Sequence, residues 1–146
     1  MVFIFTILFF ILGLIIGSFL NVVIYRINTS RSLGGRSACM SCQNKLKWYE
    51  LIPLISFFTL RGRCRTCKTK ISIQYPLVEL TTGLIFASFF FKFSALGGSA
   101  SGGQDFSFMF DLTFIAVYAY YAIMFSFLVV IAVYDFKWKI ISDKIE

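Results

Sequence analysis

The chain has 146 residues, of which 58% are hydrophobic and 19% aromatic, and its mean hydropathy is +0.81. Only 14% are charged, against roughly 25% in an average soluble domain, which excludes a soluble monomeric globule and a disordered tail and favours a small polytopic membrane protein. The net charge of +7 does not oppose this, because the charges are gathered in one stretch.

Residues 1–25 carry no charged side chain and are long enough to cross a bilayer, which takes about 20 apolar residues. The basic n-region and small-residue cleavage site of a signal peptide are missing, so a retained transmembrane helix is expected. Gly13 and Gly17 form a small-xxx-small pair. That pattern suits close packing on another helix, although membrane helices are Gly-rich in any case. Residues 26–76 reverse the character: ten of the fourteen cations fall between Arg26 and Tyr75, with Glu50 the lone acid, for a net +9. A second span is expected over 77–96, interrupted by Glu79 and Lys92, then a Gly/Ser-rich polar loop over 97–111. A third span covers 112–134, and Asp135 opens a final segment, 135–146, containing Lys137, Lys139 and Lys144.

Cationic loops stay on the cytoplasmic side. The +9 segment is therefore expected in the cytoplasm, the N-terminus and the Gly/Ser loop outside, and Asp135 at the cytoplasmic edge of the third helix. Glu79, near the cytoplasmic start of the second helix, is an acid inside a membrane segment. Such groups are functional suspects, but hydrogen bonding within the bundle accounts for it equally well.

All four cysteines lie in the basic segment, as Cys39-Met-Ser-Cys42 and Cys64-Arg-Thr-Cys67, with 21 residues between the pairs. Cytoplasmic thiols stay reduced, and two CxxC pairs about twenty residues apart supply four thiolates to one tetrahedral zinc ion. The flanks repeat as well: CMSCQNKL matches CRTCKTKI, and Gly35-Arg36 and Gly62-Arg63 precede the two knuckles. Four sulfur ligands leave no open position, so the metal is structural, stapling a loop too small to fold on its core alone. A basic ribbon can also read nucleic acid. Here contact with anionic membrane lipid and retention in the cytoplasm account for the cations, and no nucleic-acid partner is expected. The fold class is thus an all-α polytopic membrane protein of three transmembrane helices with a small cytoplasmic four-cysteine, zinc-ribbon-like loop domain.

These residues resemble the bacterial type IV prepilin peptidases, bifunctional leader peptidase/N-methyltransferases that also serve type II secretion. The resemblance runs through Gly17-Ser-Phe-Leu-Asn-Val-Val-Ile-Tyr-Arg26, Arg36-Ser37, the Cys39/Cys42 pair, Leu46-Lys-Trp48-Tyr49, and Leu51-Ile-Pro-Leu-Ile-Ser56. It continues in Gly62-Arg-Cys64-Arg-x-Cys67, Ile71 and Tyr75-Pro-Leu-Val-Glu79-Leu. It implies a multi-pass aspartic endopeptidase of the bacterial inner membrane that cleaves the leader of type IV prepilins or pseudopilins at the cytoplasmic face. Many members then methylate the new N-terminus, which implies S-adenosylmethionine as methyl donor. The family's first catalytic aspartate lies in a hydrophobic-x-Asp-x-x-x-x-x-Ile-Pro pattern. Val133-Tyr134-Asp135 through Ile141-Ser142 fits it, with Ser142 where the family has Pro, so the resemblance assigns that role to Asp135. By position alone Asp135 reads as a solvated helix-end residue.

Aspartic proteolysis takes two carboxylates sharing one proton, one activating water and the other polarising the scissile carbonyl. The family's second aspartate sits in a Gly-x-Gly-Asp motif, which residues 1–146 do not contain. Asp143, eight residues on, would lie about 12 Å further along a continuous helix, and Asp105 and Asp111 fall on the opposite side of the membrane. The expectation is therefore an N-terminal membrane and zinc module with one catalytic aspartate: a fragment, half of a split enzyme, or a degenerate homologue. Three readings follow: part of a prepilin peptidase, inactive alone; a non-catalytic membrane-anchored zinc module that binds a pilus or secretion component or a separate C-terminal catalytic half; or an unrelated zinc-ribbon membrane protein. No methyl-transfer residues are assigned, Glu50 included.

Overall fold

The computed structural model describes residues 2–27, 35, 37–39, 41–98 and 111–142. Arg36, residues 99–110 of the Gly/Ser loop with Asp105, and Asp143 lie outside the described residues. Four α-helices follow in order: α1 (Val2–Ile27), the short α2 (Ile55–Thr59), α3 (Gln74–Gly98) and α4 (Leu112–Ser142), with a 3-10 turn at Trp48–Leu51 before α2. Among the described residues there is no sheet, only two isolated antiparallel bridges. Three helices are long and apolar enough to cross a membrane, over Val2–Arg26, Gln74–Ser94 and Leu112–Phe136.

α1 and α3 form the tightest pair because glycines remove the side chains between their backbones. A Cβ on Gly13 would stand 2.8 Å from Gly83 Cα, and one on Gly17 would stand 2.8 Å from Glu79 Cα. Gly83 answers from α3, where a Cβ would meet Leu14 Cδ2 at 2.9 Å. In a membrane, where lipid is as apolar as leucine, such close van der Waals contact is what associates helices. Val78, Thr82, Phe86 and Phe90 of α3 and Leu20 and Ile24 of α1 are buried. The Thr82 hydroxyl donates to Val78 O at 2.8 Å within its own helix, so this polar side chain brings no unmet hydrogen bond into the interface.

α4 joins through aromatic rings. Phe9 stacks on Phe90 with centroids 4.4 Å apart and meets Tyr118 edge-on at 4.7 Å, while Phe89 contacts Tyr121 at 4.7 Å and Phe125 at 5.4 Å. The Tyr118 hydroxyl donates to Phe86 O at 3.3 Å. Among the described residues of α4 only Phe114 is buried.

Two helix ends differ from the sequence expectation. α3 starts at Gln74 and holds Pro76 in its first turn, where proline's missing N–H has no helical partner to lose. α4 runs on through Asp135 to Ser142 instead of ending at residue 134, because Phe136 to Ser142 contains no proline or glycine to stop it.

Candidate metal centre and the cavity beside it

The two cysteine knuckles are built alike, one shifted from the other by 25 residues. Cys39 N donates to Asn44 O and Cys64 N to Thr69 O; Gln43 N donates to Cys39 O and Lys68 N to Cys64 O; Leu46 N donates to Ser37 O and Ile71 N to Gly62 O. The bridges Ala38–Lys45 and Arg63–Lys70 keep the same offset. So do the left-handed residues Gln43 (φ +56°) and Lys68 (φ +58°), which turn each knuckle back on itself. The repeated Lys and aliphatic flanks are therefore structurally equivalent. The two glycines are not: Gly62 pairs with Ser37, and Gly35 lies two residues earlier.

This geometry turns the four sulfurs inward. The Sγ atoms of Cys39, Cys42, Cys64 and Cys67 all lie within 4.8 Å of one another. Cys39 Sγ and Cys67 Sγ are 3.7 Å apart, close to the roughly 3.8 Å edge of a tetrahedron with metal–sulfur bonds of about 2.3 Å and far beyond the roughly 2.05 Å of a disulfide. The four cysteines are thus arranged to hold a metal ion. Cys64 is buried and Cys42 exposed.

The thiols divide in acidity. The Thr69 hydroxyl, followed by the Thr69 backbone N–H, holds Cys67 down to about 6. Cys39 is lowered, first by the Cys42 backbone N–H. For Cys42 the Asn44 backbone N–H pulls down, but desolvation and the neighbouring Cys39, Cys67 and Cys64 sulfurs outweigh it and push the thiol up to about 11. Sulfurs this close cannot all ionise without a cation among them, and a bound metal is such a cation.

Polar contacts join the two knuckles and the turn between them. Asn44 Nδ2 donates to Thr66 Oγ1 at 3.0 Å, and the Arg65 guanidinium donates to the Tyr49 hydroxyl. Glu50 accepts the Lys47 backbone N–H at 2.8 Å, closing the 3-10 turn. That gives the loop's lone acid a structural task.

Glu79 acts across elements. Its Oε2 accepts the backbone N–H of Leu54 at 2.8 Å, and the Ser18 side chain of α1 also bonds it. Leu54 has φ +57° and ψ −50°, near the strained classic γ-turn, with Ile55 N donating to Pro53 O around it, and such a conformation costs about 1–3 kcal/mol. The Glu79 bond helps hold it there. One turn away, Asn21 Nδ2 donates to Tyr75 O at 3.0 Å. Glu79 thus bonds to α1 and to the loop carrying the cysteines. Asn21 and Ser18 stood in the sequence reading only as part of the Gly17–Arg26 stretch, with no role of their own, although an amide in an otherwise apolar span was a visible signal.

Between these helix ends and the knuckles lies a half-open cavity of about 1030 Å³, walled by Ser18, Asn21 and Glu79 on the helix side and by Cys39, Cys64 and Lys70 among others on the loop side. Asp135 is not on its wall. It is exposed on α4, seven residues before that helix ends, and among the described residues the structure brings it to neither the cysteines nor Glu79.

Known proteins match this arrangement over much of its length. The family model of the bacterial peptidase A24 N-terminal domain matches residues 11–93, from α1 through both knuckles into α3. A prepilin leader peptidase/N-methyltransferase of Myxococcus xanthus is 54% identical over 83 residues, covering 56% of this chain and 25% of that protein. One from Vibrio cholerae is 44% identical over 94 residues (58% and 37%), and one from Neisseria gonorrhoeae 34% identical over 130 residues (72% and 46%). The chain therefore spans between a quarter and a half of the length of these relatives. No solved structure matches it. With two cysteine knuckles set between apolar helices and the family's domain matched from the middle of α1 to near the end of α3, the chain belongs to the bacterial peptidase A24 N-terminal domain family.

Proposed function

We propose that this chain forms the N-terminal membrane portion of a prepilin leader peptidase/N-methyltransferase, with zinc as the metal of its cysteine centre. The match over residues 11–93 to a family whose relatives carry that name supports the reading most directly. The +9 charge between Arg26 and Tyr75 favours a cytoplasmic metal module. The chain then lies in the bacterial inner membrane with its N-terminus outside, and its substrate is a prepilin or pseudopilin. Four thiolates are a ligand set that suits Zn²⁺, and with no site left for water they staple the loop without entering catalysis. The loop's cations face anionic lipid.

Asp135 is one carboxylate of the catalytic pair. A pair needs a second carboxylate close enough to share a proton with the first, and here it comes from a segment or chain outside residues 1–146. The methyl donor of the N-methyltransferase activity is S-adenosylmethionine. The decisive experiment puts Asp135→Asn into the gene that carries this chain and follows leader removal from a prepilin by gel mobility. Cleavage is expected to fall to background while the protein stays in the membrane. Undiminished cleavage removes Asp135 from the catalytic pair.

A further inference from the structure

Between the two knuckles the chain leaves large apolar side chains in the open. Trp48 is 77% exposed and Phe58 72%, and Leu51 and Ile55 are exposed as well. The 3-10 turn that carries Trp48 and Leu51 packs against α2, which carries Ile55 and Phe58, so the four belong to one small unit. Apolar side chains grouped in the open in this way mark a contact surface. Glu79 fixes the level of that unit. Its carboxylate accepts the N–H of Leu54, the residue before α2. Glu79 lies five residues into α3, about 7.5 Å along the helix axis, and the candidate membrane span of α3 also starts at Gln74. α2 therefore begins level with the end of a span, where an unmet backbone N–H is costly and Glu79 meets this one. Ile73 and Leu77, at the start of α3, are exposed at the same end.

The far side of the unit is cationic. Arg61, Arg63, Arg65 and Lys68 line one pocket just after α2, and no carboxylate stands on its wall. Tyr49 ties these cations to the aromatic turn: its hydroxyl accepts from Arg65, and Lys47 Nζ and Arg65 Cζ each stand 5.8 Å from its ring centre. Glu50, the lone acid between Arg26 and Tyr75, is occupied with the Lys47 N–H. Apolar side chains beside cations match a leaflet of anionic phospholipid. Rings and aliphatic chains settle at the headgroup boundary, where tryptophan is favoured, and Lys and Arg reach the phosphates. A second copy of this chain would set one +9 segment against another, and a nucleic acid leaves Ile55 and Phe58 uncovered. We propose that residues 48–59 form an interfacial seat for the metal module. Trp48, Leu51, Ile55 and Phe58 enter the headgroup boundary of an anionic leaflet, and Arg61, Arg63, Arg65 and Lys68 hold its phosphates. The inference deepens, and rests on, the placement of the loop's cations against anionic lipid proposed above.

The test holds the full chain, metal-loaded, in nanodiscs of phosphatidylglycerol and phosphatidylcholine whose acyl chains are brominated or plain. Trp138→Phe leaves Trp48 as the one tryptophan of the chain. Bromine quenches a tryptophan that enters the leaflet, so Trp48 emission is expected to fall by half or more in brominated discs. Unquenched, water-like emission overturns the proposal and leaves this face to a protein partner. Ile55→Ser with Phe58→Ser alters exposed positions and should remove at least half of the quenching while metal content and helicity stay unchanged. Quenching like the parent in that variant overturns the proposal as well. If that variant loses its metal, Arg61→Gln combined with Arg63→Gln and Lys68→Gln decides. Its quenching should weaken and stop rising with the phosphatidylglycerol fraction, and quenching like the parent there overturns the proposal. Phosphatidylglycerol kept in preference to phosphatidylcholine through detergent washing, counted by native mass spectrometry, reads the cations separately. Retention without quenching removes the seat alone and keeps the cations on lipid. Without preferential retention, the placement on anionic lipid falls and the proposal with it.

Discussion

At Cys64 the knuckle geometry and the metal are one problem. Its sulfur is the buried one of the four, and its backbone holds the second knuckle closed through Thr69 and Lys68. In small zinc peptides metal binding and folding are coupled by about 10–16 kcal/mol. Cys64→Ser is therefore expected to release the bound metal and leave residues 37–72 open to limited proteolysis, while the apolar helices stay membrane-inserted. Atomic absorption and protease mapping read the two effects. A metal takes thiolates, so falling pH protonates its ligands and metal affinity declines toward acid.

Among the elements, the α1–α3 pair depends on what is missing from Gly13 and Gly17. A side chain on Gly13 runs into backbone, Gly83 Cα and Thr82 O both at 2.8 Å, so the neighbours cannot yield by a rotamer change. Gly13→Leu should cost about 1–3 kcal/mol or more and lower the thermal unfolding midpoint in detergent. Leu12→Ala, on an exposed face of the same helix, should leave it near the parent value. The Gly-xxx-Gly spacing was legible beforehand, but equally so as ordinary glycine content; the approach of Gly83 from α3 decides between the two. The knuckles show a similar division. The repeat of cysteine, lysine and aliphatic residues could be read directly, whereas the flanking glycines suggested an equivalence that the hydrogen-bond register replaces with Ser37 and Gly62.

For the molecule as a whole, the two chemistries expected of the family separate in space. The cysteine centre and the cavity lie where the loop meets the ends of α1 and α3. Asp135 stands on α4, which is held through rings at Phe114, Tyr118, Tyr121 and Phe125 in its first half. Residues 126–136 beyond those rings are exposed or half-buried, and under the proposed reading this is where a second carboxylate approaches Asp135. Glu79 is the link between membrane and loop: one acid bonded to α1 and to the chain leading into α2.

The membrane character, three spans and a four-thiolate ligand set follow from sequence alone, because apolar transfer energy accumulates residue by residue along a helix and cysteine spacing is a local property of two turns. The helix ends were less legible, since proline tolerates a first turn and nothing after Asp135 breaks α4. Only the tertiary structure decided that Glu79 bonds to Leu54, that Asn21 bonds to Tyr75 across 54 residues, and that a cavity lies between the helix ends and the knuckles. Those contacts join segments with no shared periodicity, so their energy exists only once α1, α3 and the metal loop have packed together.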